Sequence, residues 1–185
     1  MPESMTLTRL TAFPNIERIK VLSDAERAWM AGFFDGEGSV GLYRKLKNGM
    51  FYAVTTRINV SQTDRAALDK FYDVFGGALT LIDRPDRAVT KHTQYWTWSC
   101  DSTANANLFL QTVRPFLHVK GEEADIVMQF IDNRYSYTME QKGALIDAIA
   151  ALKLRAKSHV AADVATKLRA RAAKIQSMMT GTDDI

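Results

Sequence analysis

The stretch Met30-Ala-Gly-Phe-Phe-Asp-Gly-Glu-Gly38 places a carboxylate, Glu37, where a helix is expected to end among glycines. The last carbonyls of a helix lack intrahelical partners and carry partial negative charge, so that end attracts cations. A carboxylate, a carbonyl from Gly36 and water together make an oxygen environment suited to magnesium. A divalent cation there could activate water and stabilise the charge of a cleaved phosphodiester. Ala28, Gly32 and Gly36 recur every fourth residue and so share one face of the same helix. Side chains that small let a second helix approach closely.

Local signals define the elements around this stretch. Ser23-Asp-Ala-Glu26 reads as a capping box that opens a helix running to about Gly36. Ser39 to Lys47 and Phe51 to Ser61 read as strands joined by Asn48-Gly49, a strong hairpin signal. Asp64 can cap a helix through Phe75, stopped by Gly76-Gly77. A second strand pair spans Ala78 to Arg84 and Lys91 to Cys100, and Trp96, Trp98 and Cys100 alternate there as core. A helix from Ser102 or Thr103 ends near Arg114, before Pro115. Lys120 to Tyr135 reads as another helix, and residues 139 to 156 and 160 to 179 as one or two more. The expected fold is α+β: an α-β-β-α-β-β-α core, its helices packed on one face of an antiparallel sheet, with C-terminal helices added. The expected organisation is an N-terminal arm with little regular structure (1–22), the core (23–136), a C-terminal helical extension (137–180) and a tail (181–185).

Composition narrows the setting. The chain has 185 residues, 46% of them hydrophobic, enough for one sizeable core. The formal charge of +3 is compatible with nucleic acid without pointing to it strongly. One cysteine excludes an intrachain disulfide framework and suits a reducing compartment. No apolar run is long enough to span a membrane, and the first residues lack the basic-then-apolar order of a signal peptide. These traits predict an intracellular chain, cytoplasmic or organellar according to its host, with no membrane partner.

Beyond its chemistry, Met30 to Gly38 resembles the signature of the LAGLIDADG homing endonucleases. Met30 takes the first Leu and Phe33-Phe34 the Leu-Ile, while Ala31, Gly32, Asp35 and the closing Gly38 match. Glu37 replaces the usual second Asp. The resemblance extends to the element order over about residues 24 to 135. It implies hydrolysis of both strands of a long, pseudo-palindromic duplex with a magnesium cofactor, leaving 3′ overhangs. It implies that Gly36 and Glu37 hold the metal. It also implies that Gln62, just after the second strand, holds a metal-bound water, and that Lys120, after Pro115-Phe-Leu, lies near the scissile phosphate. Arg65 is a candidate for a further basic residue. Asp35 is expected to act at the helix end or a subunit seam rather than as the main ligand. His118, alone between Leu117 and Val119, reads as structural.

The family pairs two such helices, and this chain has one copy of the motif. The resemblance therefore implies a homodimer, with Ala28, Gly32 and Gly36 at the seam. The free sheet face would carry the DNA-reading side chains: Tyr43, Lys45 and Lys47; Thr55, Arg57 and Asn59; Thr80, Ile82 and Arg84; Lys91, Thr93, Tyr95 and Thr97. Residues 40 to 60 hold four basic residues and no acid, as a surface that meets double-stranded DNA should. A second basic region, residues 153 to 174, could touch phosphates. Two alternatives share this fold: an intron maturase that binds structured RNA, and a DNA-binding regulator that does not cleave.

Overall fold

A computed structural model describes residues 8–83 and 94–154. Between Ser23 and Tyr135 the described helices and strands form close to where the local signals place them, while the helix expected over 160–179 lies outside the described residues. Helix α2 (Asp24–Glu37) opens on the expected capping box: Glu26 N–H donates to Ser23 Oγ at 3.3 Å, and Ser23 N–H donates back to the Glu26 carboxylate at 2.9 Å. Strands β2 (Gly38–Lys47) and β3 (Met50–Gln62) are joined by Asn48 and Gly49, at φ 52° and 78°. Positive φ at both central residues gives a turn whose twist matches the strands. Asp64 caps α3 (Arg65–Phe75) through Ala66 N–H at 2.9 Å. Strands β4 (Gly77–Asp83) and β5 (Gln94–Cys100), helix α4 (Thr103–Val113), a 3-10 turn (Arg114–Phe116) and helix α5 (Gly121–Asn133) follow.

The expected N-terminal arm turns out to contain structure. Strand β1 (Arg9–Ala12) pairs antiparallel with β4, and a five-residue helix, α1 (Ile16–Lys20), follows it. The sheet is therefore five-stranded and antiparallel, in the order β1-β4-β5-β3-β2. All four residues of β1 are exposed, so its short polar–apolar alternation, Arg9-Leu10-Thr11-Ala12, marks no buried face. It is held by edge hydrogen bonds to a strand some 70 positions away, a pairing that local pattern does not encode.

Two compact units are present, residues 1–146 and 147–185. In the first, residues 139–146 are helical and begin on a second capping box, with Gln141 N–H on Thr138 Oγ1 at 3.2 Å and Thr138 N–H on Gln141 Oε1 at 2.9 Å. In the second, the described residues 147–154 are helical.

The core lies between the helices and one sheet face. Val40, Leu42, Ile58, Val60, Leu79, Trp98 and Cys100 are buried from the sheet, as are Phe34, Phe71, Phe75, Phe109 and Leu110 from the helices. Trp96 shares the face of Trp98 and Cys100 but is only half-buried. Phe109 is the hub: its ring lies 5.0 Å from Phe34, 5.0 Å from Phe75 and 5.2 Å from Trp98. Phe109→Ala is expected to cost about 3–5 kcal/mol, because four converging elements cannot close the void. Urea unfolding measures this, and a loss below about 1 kcal/mol would contradict it.

Candidate active site and nucleic-acid interface

Helix α2 passes into β2 without a loop. A Cβ on Gly38 would lie 2.2 Å from the Phe34 ring and 2.6 Å from the Phe34 carbonyl oxygen, so only glycine permits the turn. Glu37 stands at the turn. It is exposed, and among the described residues its carboxylate makes no hydrogen bond or ion pair in the structure. Ala28, Gly32 and Gly36 are exposed as well, and Cβ atoms added at Gly32 and Gly36 would meet nothing within 4 Å. The small-residue face of α2 is therefore open over the described part of this chain.

Sheet register brings Gln62 to the same end. Gly38 pairs with Val60, and Gln62 closes β3 two residues further on. Its Oε1 accepts from Thr63 N–H at 2.8 Å, while Asp64 caps α3, so Gln62 is not the helix cap. Arg65 stacks 4.9 Å from the Trp96 ring and pairs with Asp69 at 2.9 Å. Trp96 is the register partner of Gln62, which sets Arg65 near this end of the sheet.

Lys120 arrives from far along the chain. Its Nζ donates to the backbone carbonyl of Asp35, in the last turn of α2 and two residues from Glu37. The ammonium thus occupies the negative end of the helix dipole. Asp35 in turn binds the backbone that carries Lys120. His118 N–H and Val119 N–H donate to Asp35 Oδ2 at 2.8 and 3.1 Å, and Lys120 N–H donates to Oδ1 at 2.9 Å. Burial works to raise the Asp35 pKa, but the hydrogen bonds from His118, Lys120 and Val119 and the Lys120 charge outweigh it and hold it below the ordinary 3.8. Asp35 therefore acts at the helix end, as one half of the expectation had it. The partners lie 83 to 85 residues away, which is why the sequence did not name them. The His118 side chain is exposed, while its backbone joins this clamp.

Arg114 closes the other side of the same segment, donating to both carboxylate oxygens of Asp125 at 2.6 and 2.7 Å. The Arg114 hydrogen bonds, opposed by slight burial and aided by the guanidinium charge, hold the Asp125 carboxyl below the ordinary 3.8. A depressed carboxyl pKa stabilises the fold above its unfolded value, and that contribution is lost as pH falls through the folded value. Acid titration below 3.8 is thus expected to lower the thermal midpoint, only slightly because both groups are partly exposed. Arg114→Met should remove this part of the acid limb. An unchanged limb would place the loss elsewhere.

The face of the sheet away from the helices is polar and basic. Tyr43, Lys45, Lys47 and Arg57 are exposed, and Thr55, Asn59, Thr80, Ile82, Tyr95 and Thr97 are half-exposed. The Arg57 guanidinium stacks 4.8 Å from the Tyr43 ring, and Ser61 and Thr97 hydroxyls lie 2.8 Å apart. A register shift after Lys45 leaves exposed Tyr52 without a partner on β2, a feature absent from the strict alternation read in the sequence. Arg84, Lys91 and Thr93 lie outside the described residues, as does the basic region beyond residue 154.

The donor set at Glu37 suits a hard divalent cation: one carboxylate and one peptide carbonyl, both oxygen. Among the described residues no group of three or more His, Cys, Asp or Glu side chains could hold a metal ion. No helix among the described residues is long and apolar enough to cross a membrane.

No protein-family model matches the sequence, and no curated protein matches it. Solved structures do. The homing endonuclease I-CvuI, solved on the I-CreI target with magnesium, matches at TM-score 0.57 and 19% identity, over 75% of this chain and 85% of that one. I-CvuI on its target (Sro1.3) with calcium matches at TM-score 0.57 and 17% identity over the same shares. The LAGLIDADG homing endonuclease I-GzeII, in complex with its DNA target, matches at TM-score 0.50 and 13% identity, over 68% of this chain and 43% of that one. The α+β architecture, with helices on one face of an antiparallel sheet, is that of the homing endonucleases. More narrowly, the chain has the LAGLIDADG homing endonuclease fold.

Proposed function

We propose that this protein is a site-specific DNA endonuclease of the LAGLIDADG type, acting as a homodimer with magnesium. The observation that carries the reading is the uncommitted Glu37 carboxylate at a helix end where Lys120 also lands, beside a basic sheet face. Structural neighbours bound to DNA targets support the same reading.

In this mechanism the sheet seats the duplex. Lys45, Lys47 and Arg57 meet its phosphates and base edges, and Thr55, Asn59, Thr80 and Thr97 add hydrogen-bonding groups. Glu37 and the Gly36 carbonyl hold the divalent cation, whose chemistry when bound is to activate water and neutralise charge at the phosphate. Gln62 offers its amide N–H groups to order water. Lys120, set on the α2 terminus, offsets negative charge growing on the phosphate. An ammonium kept on a carbonyl is a poor base, so Lys120 acts by charge. The second set of ligands comes from a second copy, packed along Ala28, Gly32 and Gly36. The target is then pseudo-palindromic, as two-fold symmetry requires, and the products carry 3′ overhangs.

Cleavage of a randomised duplex library with magnesium, then with calcium, tests the proposal. Defined products with magnesium support it. Tight binding without cleavage in either metal would make the protein a regulator, and selective binding to structured intron RNA would make it a maturase.

A further inference from the structure

Among the described residues near the scissile end, Asp35 has the most extensive hydrogen bonding and no assigned part in the reaction. Its two carboxylate oxygens accept three consecutive backbone N–H groups, those of His118, Val119 and Lys120. Its own carbonyl accepts the Lys120 ammonium. Lys120 is the N-cap of α5 and makes no side-chain cap there; the Asp35 carboxylate binds the N–H of Lys120 and of the two residues before it, and so fastens the turn that leads into α5. The segment is pinned a second time at its base by the Arg114–Asp125 pair. A lysine side chain has four rotatable bonds, so the position of its backbone limits where its ammonium can stand. The clamp fixes its backbone to the same helix turn that carries Glu37.

We propose that Asp35 is a positioning residue for cleavage, acting through Lys120: it locks the 118–120 turn to the end of α2 so that the ammonium stands beside Glu37. The proposal rests on the endonuclease reading above. It accounts for a carboxylate rather than an amide at this position. Asparagine has one acceptor oxygen, and its NH2 would face a backbone N–H.

The test compares native protein, Asp35→Asn, Lys120→Met and the double variant. Amide hydrogen exchange is read at residues 118–120, and single-turnover cleavage is read with magnesium. In native protein these amides should exchange slowly, and in Asp35→Asn at least ~10-fold faster while the rest of the sheet keeps its protection. The single-turnover rate of cleavage by Asp35→Asn should fall by about 10–100-fold, with DNA binding in calcium near native. In the Lys120→Met background the Asp35 change should add little, since both remove one device. Full additivity, native cleavage by Asp35→Asn, or unchanged exchange would each overturn the proposal. Should Asp35→Asn unfold, native-like exchange at 118–119 together with native cleavage in Lys120→Met would overturn it equally. A native chain with slow exchange that cleaves no duplex overturns the endonuclease reading and, with it, the catalytic purpose of a clamp that exchange has still measured.

Discussion

Glu37→Gln is expected to lower cleavage with magnesium by about 10³-fold or more while leaving DNA binding in calcium intact or slightly tighter. The size follows from what is removed. Glutamine keeps the shape of the side chain but not its charge, and loss of one preorganised charge-stabilising group alone costs 10²–10³-fold. In the proposed mechanism the same group is also the carboxylate ligand of the cation. The direction of the binding effect follows from exposure. Glu37 makes no hydrogen bond or ion pair among the described residues, so its replacement leaves no buried partner unsatisfied. Removing a negative charge close to phosphates favours association. Cleavage assays with matched binding curves measure both quantities, and a variant that cuts at the native rate would remove Glu37 from the mechanism.

Gly32→Leu separates folding from assembly. Gly32 lies mid-helix on the exposed face of α2, and a side chain there meets nothing within 4 Å of its own described chain. Leucine is a better helix former than glycine, by somewhat less than the roughly 0.8–1 kcal/mol that separates glycine from alanine. The isolated subunit should therefore be as stable as native or slightly more so. The seam should fail, because a Leu on each of two closely packed helices forces their backbones apart. The expected result is a folded monomer by sedimentation, with cleavage of the full target lost. A dimer of unchanged affinity would put the subunit seam on another surface, and a native protein that is monomeric on DNA would remove the paired site altogether.

These experiments also mark out what local sequence could carry. The caps at Ser23 and Asp64, the Asn48-Gly49 turn and the alternation of Ile58 and Val60 each depend on residues a few positions apart, and each formed as read. Local sequence thus determined the helix that ends in Glu37, the hairpin beside it and a basic face on that hairpin. Gln62 came from the resemblance alone, and the antiparallel register of β2 with β3 sets it at the same end.

Tertiary structure decided the rest, and each case joins residues distant in the chain. The edge strand Arg9–Ala12 exists because β4 offers it hydrogen bonds; its four side chains are all exposed, so burial does not define it. The shift at Lys45, which leaves Tyr52 unpaired, is a property of two strands together. The link from Asp35 to Lys120 depends on α5 beginning against the end of α2, a meeting that core packing around Phe34 and Phe109 enforces. Met30 to Gly38 by itself placed a carboxylate at a helix end. The resemblance pointed to Lys120, but only the folded chain tied it to that end through Asp35, because hydrogen bonds across 85 positions leave no periodic trace in sequence.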